Sequence, residues 1–119
     1  MPDYHAIGPP DGIEDVSPAT AVAFLEGPAC AADGTVYFSD IANNRILKHG
    51  SGSGRYEVFR DPSGRANGLL FDVDGRLLVC EGNEHGDDDG GRRMTRTDLA
   101  TGEVEVLTER FEGARYNAP

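Results

Sequence analysis

This sequence predicts an all-β fold made of β-propeller blades, and three observations carry the prediction. Asp33-Gly34 recurs as Asp74-Gly75 at an offset of 41 residues. Each pair lies between short apolar runs, where Asp-Gly marks a hairpin because glycine accepts the positive φ of the turn. The same offset of 41 places Thr35-Val36-Tyr37-Phe38-Ser39-Asp40 on Arg76-Leu77-Leu78-Val79-Cys80-Glu81, and Glu26-Gly27-Pro28 on Asn67-Gly68-Leu69. Further on, an offset of 48 places Asn44 to Lys48 on Arg92 to Arg96, and Glu57-Val58-Phe59 on Glu105-Val106-Leu107. The seven extra residues fall in the Gly/Asp-rich stretch Asn83 to Gly91. Two copies of a unit of about 40 to 45 residues, each with four short strands, have the pattern of propeller blades.

Residues 1–20 read as an irregular lead-in, because Pro2, Pro9, Pro10 and Pro18 oppose regular structure. The propeller region is expected over residues 21–119, with Ala21 to Leu25 extended. Strands of the first blade are expected at Gly27 to Ala31, Thr35 to Ser39, Arg45 to His49 and Tyr56 to Arg60. Gly50-Ser51-Gly52-Ser53-Gly54 links the last two, and Asp61-Pro62-Ser63-Gly64 closes the blade as a turn whose proline pre-sets φ. The second blade has expected strands at Leu69 to Asp72, Arg76 to Glu81, Met94 to Asp98 and Val104 to Thr108. Thr101-Gly102 supplies its last hairpin turn. Repeat arrays need about three units for independent stability, so two blades read as the first part of a longer propeller or as a truncated product. Open blade edges would invite self-association.

At 119 residues the chain suits one domain with a small core, and 16 glycines with 7 prolines favour short strands over helices. The net charge of −10 argues against nucleic acid and anionic membranes as partners, since both select clustered positive charge. No apolar run reaches the roughly 18 residues of a spanning helix. No basic or apolar leader precedes Asp15, which makes the cytoplasm the default location. Cys30 and Cys80 sit in apolar strand contexts and are expected to be buried free thiols.

Innermost propeller strands line a central channel, so the residues that open them face a common space. Glu26 and Asn67 occupy equivalent positions there, and Asn117 or the position after Pro119 would open a third inner strand. A carboxylate and amide oxygens converging on an axis suit a hard cation, because calcium takes about six to eight oxygen ligands in irregular geometry. The alternative is that Glu26 and Asn67 tie down turn backbone; for Asn67, half of an Asn-Gly turn dipeptide, that alternative has more weight. Glu81 ends an inner-half strand and could reach the same rim, although a solvated strand end is the plainer reading. The stretch Glu84 to Gly91 lacks the spacing of a calcium-binding helix–loop–helix and reads as a solvated insertion, with His85 a weak candidate for contact at the channel mouth. His5 and His49 have no assignable role, and no histidine stands where Ser39-Asp40 would need one for a nucleophilic triad.

Leu25-Glu26-Gly27-Pro28, Tyr37-Phe38-Ser39-Asp40-Ile41 with Asn43-Asn44-Arg45-Ile46, and Asn67-Gly68-Leu69 with Asp72 resemble the SMP-30/gluconolactonase family. So do Leu78-Val79-Cys80-Glu81, Thr95-Arg96-Thr97-Asp98 and Arg115-Tyr116-Asn117-Ala118-Pro119. The resemblance spans about residues 20–119. It implies a six-bladed β-propeller, of which about two blades are present, with a divalent cation, usually calcium, in the channel. It also implies hydrolysis of a small sugar lactone, with organophosphates as substrates of some relatives. Glu26 matches the family's first metal ligand. Arg115 and Asn117 fall in a motif whose second asparagine would follow Pro119, and the candidate general base lies in blades beyond. The implied chemistry is Lewis-acid polarisation of the lactone carbonyl with a carboxylate activating water. A non-catalytic propeller that binds ligands or partners is the reading of a different class.

Overall fold

The computed structural model describes residues 24–50, 54–83, 89–117 and 119. The lead-in with His5, most of the expected extension at residues 21–25, the centre of the Gly/Ser link and residues 84–88 with His85 lie outside the described residues. Among the described residues there is no helix; ten strands form two four-stranded antiparallel sheets and one small hairpin. The first sheet runs in order through β1 (Leu25–Cys30), β2 (Val36–Asp40), β3 (Arg45–His49) and β4 (Tyr56–Arg60). The second repeats that order in β5 (Ala66–Phe71), β6 (Leu77–Glu81), β7 (Arg93–Thr97) and β8 (Val104–Thr108). These are two propeller blades. No helix among the described residues is long and apolar enough to cross a membrane.

The ladders reproduce the repeat pair by pair. Val36 opposite His49 in the first blade becomes Leu77 opposite Thr97 in the second, which is the shift of 41 on one strand and 48 on the other. Leu47 opposite Val58 becomes Thr95 opposite Val106, and both outer ladders slip at the preceding pair. The Asp-Gly signals also hold. Gly34 and Gly75 take φ of 88° and 77°, and each donates its amide to the carbonyl three residues back. The Asp33 and Asp72 carboxylates brace these loops by accepting main-chain amides at 2.9 Å.

Three strands, β3, β4 and β8, have the expected bounds, whereas the inner strands begin earlier than expected. Strand β1 takes in Leu25 and Glu26, and β5 takes in Ala66, Asn67 and Gly68. Each inner ladder slips at one place, between Glu26 and Ala29 and between Ala66 and Leu69. The bulge admits Pro28, which has no N–H to give, and hides the alternation that would have marked the strand start. The tail expected to run on after Thr108 instead turns back as β9 (Arg110–Phe111) and β10 (Ala114–Arg115). Glu112 and Gly113 form its two-residue loop, both at positive φ, the geometry that matches strand twist.

The main core is the joint between the blades. Tyr37 and Ile46 from the first sheet pack with Ala66, Leu69, Leu77 and Val79 from the second. Tyr37 meets Phe59 and Phe71 edge-on, with ring centroids 5.0 and 5.4 Å away. Both thiols are free, as expected, but neither is buried. Cys30 is exposed near the end of an edge strand. Cys80 is half-buried because it alternates with Val79 and Glu81 and so lies on the sheet face turned from the joint; partial burial still pushes its thiol pKa up.

Candidate functional site

The two inner strands meet at their starts. Gly27 has φ of +54° and lies so close to the Asn67 carbonyl that a Cβ there would overlap the oxygen. Ser39 Oγ donates to the same carbonyl at 2.8 Å. The repeat therefore brings Glu26 and Asn67 to the same end of neighbouring inner strands. Both side chains are exposed, and among the described residues neither forms a hydrogen bond or ion pair. The turn-tying alternative is thus met at Asn67 by its main-chain carbonyl, leaving the side-chain amide unengaged.

Around these two residues the rim is laced by charged side chains. Asp40 is fully buried, and its Oδ2 accepts from Asn43 Nδ2 at 2.7 Å and from Arg45 Nε at 3.0 Å. Burial pushes its pKa up, but the bonds from Asn43, Arg45 and the Phe24 amide outweigh it and hold the carboxyl below its ordinary value. Arg65 Nη1 donates to the Ile41 and Ala42 carbonyls, and its Nε and Nη2 grip Asp89, depressing that carboxyl.

Glu81 is not a solvated strand end. It is fully buried, with Oε1 accepting from Arg60 Nη2 at 2.6 Å and from Thr95 Oγ1 at 3.1 Å, and Oε2 from Arg93 Nε at 2.7 Å. Gly64 and Gly91 close over it, since a Cβ on either would collide with its carboxylate. Of the two readings the sequence left open, solvated strand end or rim group, burial overturns the first.

Arg115 Nη2 donates to the Gly91 carbonyl at 2.9 Å, and Arg92 Nε donates to the Tyr116 carbonyl at 2.6 Å, so the segment after β10 is docked on the second blade. Asn117 follows, exposed. The structure thus brings Glu26 and Asn67 together and sets Glu81 and Arg115 to holding the scaffold. The ion pairs Asp40–Arg45 and Glu81–Arg93, each with a buried acid, had a signal in the sequence: the acids match at the offset of 41 and the arginines at 48.

Among the described residues, no three or more of His, Cys, Asp and Glu gather as a metal cluster. The exposed side chains present, the Glu26 carboxylate and the Asn67 amide on strands that touch at Gly27 and the Asn67 carbonyl, are of the all-oxygen donor type that suits a hard cation.

Comparison with known proteins gives this geometry a lineage. The family model for the SMP-30/gluconolactonase/LRE-like region matches residues 24–119. A gluconolactonase from Xanthomonas campestris is 36% identical, with a TM-score of 0.65, over 80% of this chain and 29% of its own. A second protein, provisionally described as a gluconolactonase, is 32% identical with a TM-score of 0.64, over 80% of this chain and 30% of its own. Regucalcin from Agrobacterium tumefaciens, a calcium-binding protein, shares the fold at 23% identity and a TM-score of 0.57, over 73% of this chain and 26% of its own. This chain therefore spans less than a third of the length of these structures. No curated protein matches it. With a family model matched from the first described strand to Pro119, this chain belongs to the SMP-30/gluconolactonase/LRE-like family.

Proposed function

We propose that this chain forms part of a divalent-cation-dependent hydrolase of small sugar lactones, with Glu26 as a cation-holding carboxylate and calcium as the first choice of metal. The observation that carries the reading is the state of Glu26: an exposed carboxylate at the start of an inner strand, beside the Gly27–Asn67 contact, without a partner among the described residues. Three other acids of the two blades, Asp40, Glu81 and Asp89, are each paired with arginine. An acid left unpaired while its neighbours are neutralised is available to a ligand. Lactonase chemistry is supported by the family and by the gluconolactonase neighbour at 36% identity.

A bound cation supplies Lewis-acid polarisation of a carbonyl. Glu26 would hold it as an anionic oxygen donor, and the Asn67 amide oxygen would offer a neutral donor or orient the lactone ring oxygens. Asn117 stays with Asn67 as a channel candidate, and none of these groups is assigned proton transfer. The test is Glu26→Ala in the protein, with calcium binding followed by calorimetry and lactone opening by acid release. Both should fall together; unchanged calcium affinity would sink the assignment.

A further inference from the structure

We infer that Asp40 is a positioning residue for Glu26, a role that rests on the cation reading above. Glu26 stands where the inner ladder slips, so regular strand pairing does not by itself set the course of the chain there. Two fixed points bracket it. On the far side, Gly27 abuts the Asn67 carbonyl. On the near side, Leu25 pairs with Asp40, the Ile41 amide donates to the Phe24 carbonyl at 3.0 Å, and the Phe24 amide lies 3.4 Å from Asp40 Oδ1. Asn43 and Arg45 hold the other carboxylate oxygen, so the side chain receiving the incoming strand is itself locked.

The second blade supplies the contrast. Glu81 occupies the position of Asp40 and pairs with Ala66, one residue before Asn67. Its oxygens go to Arg60, Arg93 and Thr95, and none goes to the main chain of the incoming strand. The carboxylate-to-strand anchor is present in the blade whose inner strand carries an acid and absent from the blade whose inner strand carries an amide. Partners hydrogen-bonded to a metal ligand commonly govern affinity by about 10- to 100-fold; Asp40 acts one step further out, on the main chain at Phe24 and Leu25, and belongs at the low end of that range.

The experiment measures the dissociation constant for calcium alone, by calorimetry well below the melting temperature, in four proteins: unmodified, Asp40→Asn, Glu26→Gln and the double variant. Asn in place of Asp40 keeps the shape but turns an N–H₂ or a neutral oxygen toward Asn43 and Arg45. The expected result is affinity about tenfold weaker in Asp40→Asn, with no additional loss when it is added to Glu26→Gln. A purely structural Asp40 would lower the melting temperature and leave calcium affinity alone, and that outcome overturns the inference. An equal loss in the Glu26→Gln background overturns it as well. Unchanged affinity in Glu26→Gln by itself overturns the cation reading and this inference with it. Should Asp40→Asn fail to fold, Asn43→Ala loosens the same carboxylate more gently and should weaken binding in the same direction, again only where Glu26 is present; unchanged affinity in Asn43→Ala overturns the inference.

Discussion

Arg60 of the first blade reaches Glu81 of the second at 2.6 Å, so the joint between the blades contains a charge pair whose acid is completely buried. Arg93 closes on the other oxygen of the same carboxylate. Glu81→Ala removes the buried charge itself and leaves two arginines that water reaches, at 16% and 34% exposure, so its cost is that of the lost charge-assisted bonds. It should destabilise the protein by about 1.5–3 kcal/mol, read as a lowered midpoint in urea unfolding.

Glu26→Gln should have the opposite profile. Its carboxylate is exposed and unpaired among the described residues, and surface substitutions of that kind change stability by about 0.5 kcal/mol or less. The melting temperature of the metal-free protein should stay where it is while calcium binding is weakened to a measurable degree. A fall in melting temperature comparable with that of Glu81→Ala would show that Glu26 is a structural acid.

Gly27→Ala tests the contact between the inner strands. The new methyl would overlap the Asn67 carbonyl, and the positive φ adds backbone strain. A carbonyl that also accepts from Ser39 cannot retreat freely. The expected cost is about 1–3 kcal/mol, visible in thermal unfolding. Gly102→Ala is the control, since a Cβ there meets nothing within 4 Å and only its φ is strained.

Acid should weaken the fold through its turn carboxylates. The Arg76 amide holds the Asp72 carboxyl below its ordinary value, and the Thr101 and Ala100 amides do the same for Asp98. A depressed folded-state pKa means that the stabilisation is fully present above the unfolded value of about 3.9 and is lost as pH falls through the folded one. Stability measured from pH 7 downward should therefore hold until about pH 4 with respect to these groups and decline below it. Asp72→Asn should make the acid limb shallower.

The blades were legible because a propeller writes its architecture in local signals. Asp-Gly loops and short β-branched and aromatic runs concern residues close in sequence, the offsets of 41 and 48 repeat them, and the ladders confirm them from Val36–His49 to Thr97–Val104. What stayed hidden depends on neighbours far along the chain. Glu81 looked like a solvated strand end because Arg60 and the two enclosing glycines, Gly64 and Gly91, come from other segments. The Glu112–Gly113 hairpin lacked the Asn or Asp that usually announces such a loop. Glu26 and Asn67 could be matched by counting, whereas their unengaged side chains became visible only with the packing around them.

The offset changes from 41 to 48 between β6 and β7, the segment bounded by Glu81 and Arg93. Those two residues are paired twice, as ladder neighbours and as an ion pair whose acid is buried, so the loop is clasped at its base. Lengthening a loop with fixed ends is cheap, about 0.6 kcal/mol for each doubling. The clasp thus fixes the register beneath the loop, and any graft at this rim has to keep Asp89, Gly91 and Arg92, which meet Arg65, the Glu81 carboxylate and the Tyr116 carbonyl.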